Sequence, residues 1–193
     1  LLPDARTLAE DALATGIAQG DALSQALSLR TLAQIDDAGG AWASAAAGLA
    51  DALDHFRTAR RHGHDVTGVR ADETVTRAML ARAEAEAGRL DDADETLHDA
   101  ARLPPRAPAD LAVHLAYFAS TVHRLAGRPT EAHEAATQAA AGYRAAQMLL
   151  MEQHAHRQAG LALAALGRRE EACSTRRAAA DALDSFGAAH EAE

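Results

Sequence analysis

Lysine is absent from the 193 residues, cysteine occurs once, and aromatic side chains number six. Isoleucine and valine together total seven, so the residue types that favour pleated sheets are nearly missing. The single Cys173 excludes an internal disulfide and leaves no cysteine pair for a zinc ribbon. Without lysine, no Gly-x-x-x-x-Gly-Lys-Ser/Thr phosphate loop can form, and no serine sits in a Gly-x-Ser-x-Gly elbow. No apolar run approaches the roughly 20 residues that span a bilayer. The start Leu1-Leu2-Pro3-Asp4 lacks the basic and apolar segments of a signal peptide, which points to a cytoplasmic chain without membrane attachment. It also lacks methionine, the expectation for a piece of a longer protein.

What is present is alanine, 53 residues of it, followed by 23 leucines. Both are strong helix formers because they lose little side-chain freedom in a helix. An all-α protein is expected, with a core made of many close helix contacts because alanine buries little area per residue. Nineteen arginines against 28 acids give a net charge of −9, which argues against direct nucleic-acid binding through phosphate contacts.

Three stretches resemble one another: Glu86-Ala-Gly-Arg-Leu-Asp-Asp-Ala93, Leu125-Ala-Gly-Arg-Pro-Thr-Glu-Ala132 and Leu166-Gly-Arg-Arg-Glu-Glu-Ala172. Their glycines, Gly88, Gly127 and Gly167, lie 39 and 40 residues apart, and a weaker copy surrounds Gly40. Glycine ends a helix in a left-handed conformation, and the following acids suit the positive end of the next. Each copy therefore reads as the turn of a helical hairpin. Apolar stripes on either side (Val75, Met79, Ala83 and Ala87, then Leu90, Ala93, Leu97 and Ala101) agree with that reading. Nine helices are predicted, at 5–19, 22–38, 43–62, 70–87, 90–103, 109–126, 130–148, 151–166 and 169–186. His62 through Gly68 reads as a loop, and Pro104, Pro105 and Pro108 as a break. The short connections predict antiparallel neighbours in a right-handed α-solenoid, roughly four repeats plus a leading helix, forming one domain over 1–193.

These residues resemble the tetratricopeptide repeat, a 34-residue helical hairpin with small residues at fixed points. Leu80, Ala81, Gly88, Ala93, Leu97, Ala100 and Pro105 fall at matching positions, as do Leu32, Ala33, Ala45, Leu49 and Ala52 around Gly40. The last two copies supply Ala132, Ala136 and Ala139, then Gly160, Gly167, Ala172 and Ala179. The period is nearer 40 residues, the signature tryptophan and tyrosine of the first helix are missing, and Arg176 stands at a usually apolar point. The long period and the alanine–arginine style are similar to the sensor region of large LuxR-type transcriptional regulators that carry a STAND-class ATPase. In those proteins the repeats separate a nucleotide-binding region from a helix-turn-helix.

Sites for chemistry are sparse. Asp91-Asp92-Ala93-Asp94-Glu95 has the carboxylate density of a divalent-cation box, but acids in a first helical turn are stabilising in themselves. Glu95-x-x-His98 has the spacing of di-iron bundles without the second motif such a site needs. His62-x-His64 and His154-x-His156 place imidazoles at i,i+2, which point apart on a helix. Cys173 among alanines reads as a small buried hydrophobe. No enzyme, metal or cofactor is expected.

The resemblance leaves the groove lined by the first helix of each hairpin. Its groove-facing positions carry over to Arg30, Gln34 and Asp37, then Arg82 and Glu86, then His114, Tyr117, Thr121 and Arg124, and finally His154, Arg157 and Leu161. Arg, Tyr and His are favoured at binding hot spots, and the arginine fork grips carboxylates; Phe118 is expected in the core instead. The expected function is a sensor or interaction module of a LuxR-type transcription regulator, binding a peptide, protein or small-molecule ligand. The alternative is a scaffold that forms a homodimer or packs between domains through an apolar end helix.

Overall fold

A computed structural model of the chain describes residues 2–63, 66–102 and 108–186. Those residues form nine helices and no strand, in the order α1 (Leu2–Gln19), α2 (Ala22–Ala38), α3 (Trp42–Arg61), α4 (Val66–Glu86), α5 (Leu90–Ala100), α6 (Ala109–Leu125), α7 (Pro129–Ala145), α8 (Leu149–Ala165) and α9 (Arg169–Ser185). None is long and apolar enough to cross a membrane. The helices fall into two compact units, Leu1–Ala107 and Pro108–Glu193. Within each unit every helix packs on the next in sequence, and in the second unit α6 also meets α8.

A single device joins most of the hairpins. At six turns the first or second residue after the helix takes a positive φ, and the next backbone N–H donates to the carbonyl five residues back. The donors and acceptors are Asp21 to Gly16, Ala41 to Asp36, Arg89 to Glu84, Arg128 to His123, Met148 to Tyr143 and Arg168 to Leu163, at 2.8–3.0 Å. Glycine holds the left-handed position in five of them, where a Cβ would be strained, but at the α7–α8 turn the residue is Gln147, with φ of 58°. That turn has no glycine to mark it, and α7 ends at Ala145, earlier than the expected 148. At the other end of the chain's first unit, Val66 to Gly68 belong to α4, so the expected loop after His62 is shorter than predicted; His64 and Asp65 lie outside the described residues.

Alanines make the seams between helices. Ala26, Ala45, Ala52, Ala78, Ala81, Ala83, Ala93, Ala132, Ala136, Ala139 and Ala155 are all fully buried. Larger side chains close the gaps: Leu49 and Leu53 meet Leu80 between α3 and α4, and Tyr143 meets Tyr117 and Ala155 across α6, α7 and α8. Where backbones come closest, even alanine is too large. A Cβ on Gly142 would collide with the branched side chain of Val113, and one on Gly160 would meet the Cγ of Arg176. Arg176 thus occupies its unusual repeat position by laying its aliphatic stem over a glycine.

Candidate binding face

In the first unit, Arg30, Gln34 and Asp37 recur at i, i+4 and i+7 and so share one face of α2. Arg30 Nη1 donates to Asp72 Oδ1 of α4 at 2.7 Å, and its guanidinium lies 5.7 Å from the Phe56 ring centroid. Asp37 accepts from Arg82 of α4. Each helix therefore supplies one cation and one anion to its neighbour, while Gln34 stays exposed between the two pairs. Pairs this accessible contribute about 0–1 kcal/mol each; their larger effect is to fix the register of α2 on α4. Arg30, Asp37 and Arg82 thus act within the fold, and Glu86 is half-buried and also engaged there.

Two carboxylates of this unit escaped the sequence reading. Glu73 is buried on α4 and accepts from Arg60 of α3 at 3.1 Å and from Arg77 at 3.0 Å. The Glu73–Arg77 spacing of four residues was visible in sequence, but its burial was not. Glu84 is buried with Oε2 lacking a hydrogen bond among the described residues, and burial pushes its carboxyl above the ordinary range.

In the second unit, His114, Tyr117, Thr121 and Arg124 follow one another along α6, and His154, Arg157 and Leu161 along α8. His114 Nδ1 lies 2.8 Å from the hydroxyl of Tyr143 on α7. Burial holds the imidazole below its ordinary pKa and raises that of the phenol, so the neutral ring accepts and the tyrosine donates. Tyr117 is buried and packs edge-to-face on Phe118 at 5.2 Å and on Tyr143 at 6.2 Å. Phe118 is half-buried against this cluster, as its expected core role requires. Tyr143 lies on a second helix and was missed for that reason, although it continues the buried stripe Ala132, Ala136 and Ala139.

Thr121 behaves unlike five other helical threonines. Thr15, Thr31, Thr58, Thr74 and Thr76 each donate to the carbonyl four residues back, at 2.7–3.0 Å. At Thr121 the equivalent carbonyl, Tyr117 O, is taken by Ser120 Oγ at 2.6 Å. Thr121 is 1% exposed, and its hydroxyl has no hydrogen bond among the described residues. On α8, which packs against α6, the side-chain oxygen of Gln158 is likewise buried without a partner. A buried polar atom left in this state costs about 1–3 kcal/mol. On the same two helices, Arg124, His154 and Arg157 are half-buried and make contacts within the fold, and Leu161 is half-buried. Deeper in α8, Glu152 is buried and accepts from Arg144 at 2.7 Å, with His156 Nε2 at 3.5 Å.

The remaining motifs gather no chemistry. Asp91, Asp92 and Glu95 are exposed, and Arg89 reaches Asp92 at 3.4 Å. His98 Nε2 lies 3.3 Å from Arg102, and no group of three metal-ligating side chains occurs among the described residues. Cys173 is exposed, contrary to expectation. Its neighbour Ala172 takes the buried position, and one step along a helix turns a side chain by about 100°. On α1, Leu8 and Ile17 are 71% and 60% exposed, but nine residues apart they flank opposite sides of the buried stripe at Ala9 and Gly16 and form no single apolar patch. The chain matches no protein-family model and no curated protein.

Proposed function

We propose that this chain is the ligand- or partner-binding repeat module of a LuxR-type transcriptional regulator, and that the α6–α8 face of the second unit holds the occupant. The observation that carries the reading is the pair of buried, unsatisfied oxygens on adjacent helices, Thr121 Oγ1 and Gln158 Oε1. Both atoms are closed to solvent in the free state, so a ligand would reach them only by parting the side chains of α6 and α8, and would then recover the cost of leaving them unpaired. Gln158 Oε1 accepts, and the threonine hydroxyl both donates and accepts, a combination that suits the alternating N–H and C=O of a peptide. Arg124 and Arg157 stand on the same two helices and already make contacts within the fold, so a ligand carboxylate would have to compete for them. Binding would bias the larger protein only so far as the occupant prefers one of its states.

The test is selection of a random peptide library on the full chain, followed by calorimetric titration of the selected peptides. Gln158→Ala is expected to weaken binding roughly tenfold, the order of one hydrogen bond to a buried group. Unchanged affinity in that variant, with its helical circular dichroism intact, sinks the α6–α8 face as the site.

A further inference from the structure

The solvent face of α9 carries a pattern of charge that the other described residues do not answer. Glu170, Cys173, Ser174, Arg177, Ala178 and Asp181 form one strip along this helix, and all six are exposed. They lie opposite the stripe by which α9 packs on α8, Ala172, Ala179 and Leu183. Arg168 and Glu171, on the same helix end, satisfy each other at 2.6 Å. Glu170, Arg177 and Asp181 make no ion pair or hydrogen bond among the described residues.

We propose that this face pairs with the same face of a second copy of the chain, the two α9 helices running antiparallel. Glu170 and Arg177 are seven residues apart, two turns along one face. A two-fold axis between Cys173 and Ser174 brings each Glu170 opposite Arg177 of the other copy, forming two symmetric ion pairs, as an isologous interface requires. Cys173, Ser174 and Ala178 are small enough for the helices to approach closely at the centre. The antiparallel arrangement also sets each helix's positive end beside the negative end of the other. Sliding the pair by one turn places Glu170 opposite Asp181, so like charge excludes that register. The apolar end helix α1 offers no comparable self-complementary pattern.

Sedimentation velocity of the full chain over a range of concentrations tests this. The wild type is expected to dimerise, Arg177→Glu to raise the dimer dissociation constant roughly tenfold, and the double variant Glu170→Arg/Arg177→Glu to restore it, because charge complementarity sets such contacts. Both substitutions are on the exposed face, so the fold tolerates them. A wild type that stays monomeric at every concentration, or a dimer indifferent to Arg177→Glu, overturns the proposal.

Discussion

At the residue scale, the described residues divide into polar groups that pair across helices and polar groups that are buried without a hydrogen bond. Arg30, Arg82 and Glu73 belong to the first kind, since each reaches across to a neighbouring helix. Glu84 has a share in both, because Thr96 and Arg89 act on its carboxylate while its Oε2 has no hydrogen bond among the described residues, and burial works against its charge. A carboxyl whose folded pKa is raised is stabilised when protonated, and that stability is lost as pH rises through its unfolded value toward the folded one. Glu84→Gln is therefore expected to raise the thermal midpoint at pH 7, with the gain fading below pH 4.5, the unfolded value; calorimetric melts across that range check it. His114 has the opposite sense. Its folded pKa is depressed, so the neutral ring is favoured in the fold and stability falls as pH drops below 6.5, its unfolded value. His114→Asn is expected to flatten that part of the stability–pH curve, as read by urea midpoints between pH 5 and 8. Residue identities and helix faces were legible in sequence, which is why Tyr117, Thr121 and Arg157 could be placed on shared stripes. Their partners were not, because an ion pair such as Arg82–Asp37 spans 45 residues and depends on how two helices are set side by side.

The elements follow from a repeated local rule. Wherever glycine precedes a polar turn, a helix stops and the next begins, so the boundaries around Gly40, Gly88, Gly127 and Gly167 were readable. The α7–α8 boundary was read late because Gln147 does a glycine's work there. A left-handed non-glycine residue is strained by about 1 kcal/mol, so Gln147→Gly is expected to stabilise the second unit by a fraction of that, measured by urea denaturation. Gly142 presents the reverse case. It is invisible as a signal in sequence, lying mid-helix, yet it is where α7 meets Val113 of α6. Gly142→Ala is expected to destabilise by about 1–3 kcal/mol, the usual cost of overpacking, despite alanine's better helix propensity. A stabilising outcome would mean that α6 and α7 are less tightly apposed than described.

At the scale of the whole molecule, two compact helical units make different use of the same hairpin. Both carry cross-helix ion pairs, Arg30–Asp72 and Arg82–Asp37 in the first and Arg144–Glu152 in the second, while the second also leaves the neutral oxygens of Thr121 and Gln158 buried without a hydrogen bond among the described residues. A LuxR-type parent and a peptide-like occupant are the proposed context for that difference. Thr121→Val separates the two roles a buried hydroxyl can have, since valine keeps the shape and deletes the polar group. The decisive measurement pairs a melt with a titration of a library-selected peptide on this one variant. Removing an unsatisfied buried hydroxyl is expected to leave the free protein as stable as the wild type or up to about 1 kcal/mol more so, while weakening the peptide roughly tenfold. A destabilised variant that binds the peptide as tightly as the wild type would contradict the site, because the hydroxyl would then be serving the fold rather than a ligand.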